Sequence, residues 1–193
     1  MSEEFLVFDT EADTKPIREE KLHPLPILKD SHPILRKKIE EFDVTNITQP
    51  EIQKFIKNLK ITKDAYGGLG LSANQVGISF RMFVMGHGET TFVCINPKIT
   101  EKSEETERLD EGCLSSPGLK LMVERHKKIT VEYFNEEAQK VQTQFEGLTA
   151  QVYQHELDHL DGIEYTDRVK PLALKMAREK QAKLIKKITR ARK

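Results

Sequence analysis

Two histidines four residues apart, with a glutamate directly after the first, stand in the stretch Gln154-His155-Glu156-Leu157-Asp158-His159. On an α-helix, residues i and i+4 lie one turn apart on the same face. Two imidazoles placed that way can close on one metal ion. Glu156 falls slightly to the side, close enough to trade protons beside that ion and badly placed to ligate it. The pattern therefore supplies two ligands and one acid/base group. A catalytic ion of this kind takes three protein ligands and keeps one position open, so a third ligand must come from elsewhere. The bland alternative is a helix whose two histidines are spaced by four without consequence.

The chain has two cysteines, Cys94 and Cys113. Cys94 lies in an apolar run, Thr91 to Ile95, and reads as a small buried hydrophobe. Cys113 follows a glycine in Leu109-Asp110-Glu111-Gly112-Cys113-Leu114-Ser115-Ser116, a polar frame in which the backbone can turn sharply. It is the best third ligand. His23, His32, His87 and His126 sit in proline-flanked, glycine-flanked or basic surroundings and read as surface residues. A third stretch, Tyr66 to Gly77, holds four glycines in eleven residues and ends near Gln75. Its spacing is wrong for a phosphate loop and no lysine follows. Gln75 is the one side chain there that both donates two N–H bonds and accepts. A flexible loop with a polar residue at its end is the competing reading.

These stretches need a frame. Thr48 and Glu51 have capping-box spacing with Pro50 in the first turn, and Ile52, Phe55, Ile56 and Leu59 repeat as a core-facing helical stripe. Strands are expected at Phe80–Met85 and Thr91–Ile95 around a Gly86-His87-Gly88 turn, with Asn96-Pro97 ending the second. Residues 100 to 108 read as charged loop. Three more antiparallel strands are expected at Lys120–Arg125, Ile129–Phe134 and Val141–Phe145, with a turn at Asn135-Glu136-Glu137. The histidine-bearing helix starts near Gly147, with Ala150, Tyr153, Leu157 and Leu160 on its apolar stripe, and stops before Gly162. From Pro171 a breaker-free run predicts a last helix with a narrow apolar stripe of Ala173, Ala177, Leu184 and Ile188. The chain thus divides into an acidic lead (1–22, with an edge strand expected near Phe5 to Phe8), a core (23–168) and a basic C-terminal helix (169–193).

The 193 residues carry 31 Lys/Arg and 31 Asp/Glu, so the net charge is zero, but it is unevenly spread. From Arg168 onward there are 11 basic residues against one acid, Glu179. That tail reads either as a solvated arm or as a docking element for an anionic partner such as ribosomal RNA. With 37% hydrophobic and 32% charged residues the composition is that of a globular, water-soluble chain. No apolar run approaches a membrane span, the acidic start is no secretory signal, and two cysteines make no disulfide scaffold. A reducing, cytoplasmic setting is expected, and an organelle or a phage-infected host is not excluded by the sequence.

Three ordered motifs now stand side by side: Gly-Leu-Gly-Leu-Ser-Ala-Asn-Gln at Gly68 to Gln75, Glu-Gly-Cys-Leu-Ser at Glu111 to Ser115, and His-Glu-Leu-Asp-His at His155 to His159. In this combination the chain resembles the peptide deformylases, over roughly residues 25 to 170. The resemblance implies an α+β fold, with antiparallel strands packed around a central metal-binding helix and a C-terminal helix. It implies removal of the N-formyl group from the initiator methionine of nascent polypeptides, with release of formate. By position, Cys113, His155 and His159 would hold one divalent ion, usually Fe2+ in that family, with Zn2+, Ni2+ or Co2+ able to replace it. Two imidazoles and a thiolate alone suit several of these ions. Glu156 would be the acid/base, and Gln75 with the Leu114 backbone N–H would bind the developing oxyanion. Gly68, Gly70, Leu109, Glu111 and Val152 would flank the methionine pocket. The chain departs from the family pattern at Ser72 (mostly alanine), Ser116 (a larger aliphatic) and Lys120 (often arginine). Two rivals stand beside this reading: a zinc peptidase with Glu164 as third ligand, and a non-catalytic RNA-binding protein with a purely structural ion.

Overall fold

The structure, a computed structural model, describes residues 22–191. The strand expected in the acidic lead lies outside the described residues. Helices α1 (Pro50–Ala65), α2 (Gly147–Leu160) and α3 (Pro171–Ala191) accompany seven strands: β1 (Gly70–Ser72), β2 (Met82–Met85), β3 (Phe92–Lys102), β4 (Thr106–Gly112), β5 (Lys120–His126), β6 (Lys128–Phe134) and β7 (Lys140–Glu146). All pairings are antiparallel. Five strands form a sheet in the order β1-β2-β3-β6-β7, and β4 pairs with β5 as a separate hairpin.

Alternation along the strands sorts side chains between two cores. Phe83 and Met85 of β2 point with Cys94, Val131 and Phe145 toward Ala150, Tyr153 and Leu160 of α2. Met82 and Val84 point the other way, with Leu71, Val93 and Ile95, toward Ile56 and Leu59 of α1. Both faces of β2 are therefore covered, which is why its four residues are apolar without alternation. Helix α2 touches β1, β2, β5, β6 and β7 and lies at the centre of the molecule.

Several boundaries differ from the sequence expectation for identifiable reasons. Helix α1 starts at Pro50 with Gln49 as its cap, and no side-chain cap bond forms, so Thr48 and Glu51 make no capping box. Proline at the first helical position fixes the start instead. Asn96-Pro97 does not end β3. Asn96 adopts φ 50°, the register to β6 shifts between Ile95 and Lys98, and the strand continues to Lys102. Proline is tolerated at such a bulge because no ladder N–H is required of it. The Asn96 side chain accepts from the Phe42 N–H at 2.7 Å and donates to the Phe42 carbonyl at 2.8 Å, which stabilises the left-handed turn. Of residues 100 to 108, only 103 to 105 form a loop; the rest end β3 and start β4, and their charged side chains face water from both strands. His126 is half-buried, with Nδ1 2.7 Å from the Ser103 carbonyl oxygen. Helix α3 meets the body through Leu174, Ala177 and Gln181, while Ala173 and Ile188 are exposed.

Candidate metal centre

Cys113 enters from the end of β4, and His155 and His159 from α2. Their potential donor atoms all lie within 4.8 Å of one another. The Cys113 Sγ is 3.2 Å from the His159 Nε2. Both histidines are buried and Cys113 is partly so. Two imidazoles and a thiolate so arranged fit a single divalent transition ion, with room in the tetrahedron for one more group. Among the described residues no other His, Cys, Asp or Glu joins this cluster.

The ligands are held by a layer of buried charges behind them. The His155 Nδ1–H donates to the Glu111 Oε2 at 3.0 Å, which leaves Nε2 for a metal. Glu111 in turn accepts from the Arg125 Nε at 2.8 Å, the Arg125 Nη2 at 3.0 Å and the Gln151 Nε2 at 3.1 Å. Arg125 reaches on to Asp158 at 2.5 Å, and Arg168 closes on Asp158 from the other side. Burial opposes ionisation of Glu111, but the hydrogen bonds from His155 and Arg125 outweigh it and hold its carboxyl down at about 2. Burial likewise opposes a charge on His155, and its bonds to Cys113 and Glu111 win, raising it to about 10; an ion at Nε2 would take the place of that second proton. Burial, then the charges of His155 and Arg125, hold His159 well below the ordinary imidazole range, in the neutral form a ligand needs.

Glu156 is 3% exposed and faces β1. Burial pushes its carboxyl up, with the charge of His155 and a hydrogen bond from Ser72 drawing it partly back. A Cβ on Gly70 would fall onto this carboxylate, 2.7 Å from its Cγ and 2.8 Å from its Cδ. The absence of a side chain at Gly70 is what admits Glu156. Gln75 closes the opposite side. Its Oε1 accepts from the Ser72 N–H at 2.9 Å, which turns its amide nitrogen inward, where it donates to the Cys113 Sγ at 3.3 Å and the Ser115 Oγ at 3.1 Å. The glycine stretch is therefore no flexible loop: it forms β1 and a buried 3-10 turn, with Ala73, Asn74 and Gln75 covered.

A cleft of about 670 Å³ opens over this cluster. Gly68, Gly70, Gln75, Leu114, Val152 and Glu156 line it. Leu109 does not: it lies farther back on β4, opposite Val123 of β5. Glu111 borders the cleft, but its carboxylate is committed to His155, Arg125 and Gln151. Sequence reasoning gave no role to Arg125, Gln151 and Asp158, and noted Ser72 only as a departure from the family pattern. The signal existed: Gln151, His155 and Asp158 repeat at helical spacing, and Arg125 occupies the inward face of β5 after Leu121 and Val123.

A helix offering His-Glu-x-x-His, a third ligand from a distant strand and an adjoining cleft define a mononuclear metal-hydrolase architecture. Comparison with known proteins narrows the class. The model of the family "Polypeptide deformylase" matches residues 24–175. A peptide deformylase of Thermotoga maritima is 42% identical over 144 residues, covering 71% of this chain and 88% of the relative. Among solved structures, a peptide deformylase from Legionella pneumophila superposes with a TM-score of 0.78 at 32% identity, covering 89% of this chain and 99% of that one. The Thermotoga maritima enzyme does so at 0.72 and 40%, covering 77% and 99%. The chain belongs to the polypeptide deformylase family, a metal-dependent hydrolase family with the α+β fold described above.

Proposed function

We propose that the chain hydrolyses the N-formyl group from the initiator methionine of nascent polypeptides, releasing formate, with the residues of the cleft in the following roles. The observation that carries this reading is the Cys113, His155 and His159 cluster, with Glu156 beside it on the cleft wall. These three hold one divalent ion, which when bound supplies a Lewis acid and lowers the pKa of its water. Glu156 takes the proton of the attacking water and returns it to the departing amine. Its buried, upshifted carboxyl suits both halves of that exchange. Gln75 Nε2 and the Leu114 N–H meet the oxyanion that forms on the formyl oxygen. The formyl-methionine side chain lies along Gly68, Gly70 and Val152. The donor set suits several ions, and Fe2+ is our assignment for the cell, since it is the usual ion of the family.

The position of Glu164 argues against a zinc peptidase. Glu164, its candidate third ligand, is 2.9 Å from Arg36 and outside the ligand cluster. Assays of formate release from formyl-Met peptides, run beside endopeptidase assays on the same metal-loaded preparation, test the proposal. Formate release without internal cleavage is expected; internal cleavage without formate would overturn it. We further propose a cytoplasmic setting, in which α3, with exposed Lys175, Lys180, Lys183, Lys186 and Lys187, touches ribosomal RNA. No helix of the described residues is long and apolar enough to cross a membrane. Deleting the residues after Pro171 should remove co-sedimentation with ribosomes; unchanged co-sedimentation would refute the contact.

A further inference from the structure

Gly70 and Ser72 are two apart on β1 and so point to the same face of the sheet, while Leu71 between them packs toward α1. On that shared face lies Glu156. Gly70 leaves the space that the carboxylate fills. Ser72 is fully buried, and its hydroxyl donates to the Glu156 Oε2 at 2.6 Å. The same oxygen lies 3.1 Å from the Glu156 backbone carbonyl. Through its backbone N–H, Ser72 also fixes the Gln75 amide. One residue thus touches both the acid/base and the oxyanion donor. A glutamate has three side-chain torsions to order, and a buried carboxylate oxygen without a donor is costly.

We propose that Ser72 is the positioning residue for Glu156: its hydroxyl locks Oε2 against β1 and leaves Oε1 to exchange protons in the cleft. The proposal rests on Glu156 being the acid/base. It makes this chain's base a hydrogen-bonded one, where the family pattern's alanine would offer no hydroxyl.

The test compares Ser72→Ala, Ser72→Thr and Glu156→Gln with wild type by steady-state formate release, metal analysis and thermal melting. Ser72→Ala removes one atom from a site it otherwise fills, so folding is expected to hold. Its kcat should fall about 10-fold, the scale of one hydrogen bond to a charged group, with KM, metal content and melting temperature unchanged. Ser72→Thr, which keeps the hydroxyl, should recover most of the loss. A wild-type kcat in Ser72→Ala would overturn the proposal. So would a loss confined to metal content or melting temperature, the mark of a merely structural hydroxyl at the α2 carbonyl. Should Ser72→Thr melt early, a crystal structure of Ser72→Ala decides: a displaced Glu156 carboxylate supports the proposal and an unmoved one refutes it. Glu156→Gln separates the two layers. Activity in that variant would refute the acid/base role itself, whereas a dead Glu156→Gln beside a fully active Ser72→Ala would sink only the role of Ser72.

Discussion

Helices α2 and α3 follow one another closely in the chain and are held in opposite ways. Of the 14 residues of α2, nine are buried, and six of those carry polar or charged side chains: Gln154, held by the His126 backbone, and Gln151, His155, Glu156, Asp158 and His159 around the site. Each is fixed by groups from other elements: Gln151 and His155 by Glu111, Asp158 by Arg125 and Arg168, Glu156 by Ser72, and His159 by the Cys113 thiol. Helix α3 spans 21 residues and rests on the body through Leu174, Ala177 and Gln181. Its polar ties are an ion pair from Arg178 to Asp30 at 2.7 Å and a bond from Gln181 to the Pro117 carbonyl at 2.9 Å. Buried polar groups demand partners, and partners fix geometry. A reaction centre needs that, and a helix at the edge of the body does not.

Glu156→Gln should show the largest effect. Formate release should fall by about 10²- to 10⁴-fold, the usual contribution of a general acid/base, with the metal content of wild type by elemental analysis. Arg125→Met strikes the supports of α2. It removes a partner from two buried carboxylates, Glu111 and Asp158, and should lower stability by about 3 to 5 kcal/mol in urea unfolding. A drop under about 1 kcal/mol would show that the network is no more binding than a surface pair. Gly70→Ala drives a methyl into Glu156 and should cut kcat by about 100-fold, the cost of a displacement near 1 Å, without changing metal content. Arg178→Ala, on α3, breaks a half-exposed pair and should shift stability by less than about 1 kcal/mol. If Arg178→Ala and Arg125→Met were equally damaging, the contrast between the two helices would collapse.

The parts of this molecule that were legible in the sequence are those whose spacing is local. His155 and His159 are one helical turn apart, Gly112 precedes Cys113, and Gln75 closes a glycine-rich stretch, so each could be recognised from a few neighbours. The strands β5, β6 and β7 announced themselves by alternation. What stayed hidden depends on pairing across the chain. The path of β3 through Asn96-Pro97 is set by β6 and by Phe42, more than 30 residues away on either side. The charged run at 100 to 108 reads as loop until its partners in β5 and β6 are known, because both its faces meet solvent. Arg125 read only as the end of an expected strand, beside His126; the folded chain alone brings Glu111 and Asp158 to it. Helix α3 was readable as a helix, but its contact face only in part: Ala177 packs as expected, while Leu174 packs and Ala173 does not, since a weakly packed stripe leaves little periodic signal.

The central claim is that a thiolate from β4 completes an ion site begun by two imidazoles of α2. Cobalt(II) binding reads this directly, because a bound thiolate adds a charge-transfer absorption that imidazole ligands lack. The wild-type protein should take up one ion per chain and show that absorption, and Cys113→Ala should lose it. The same absorption at the same strength in Cys113→Ala would contradict the account.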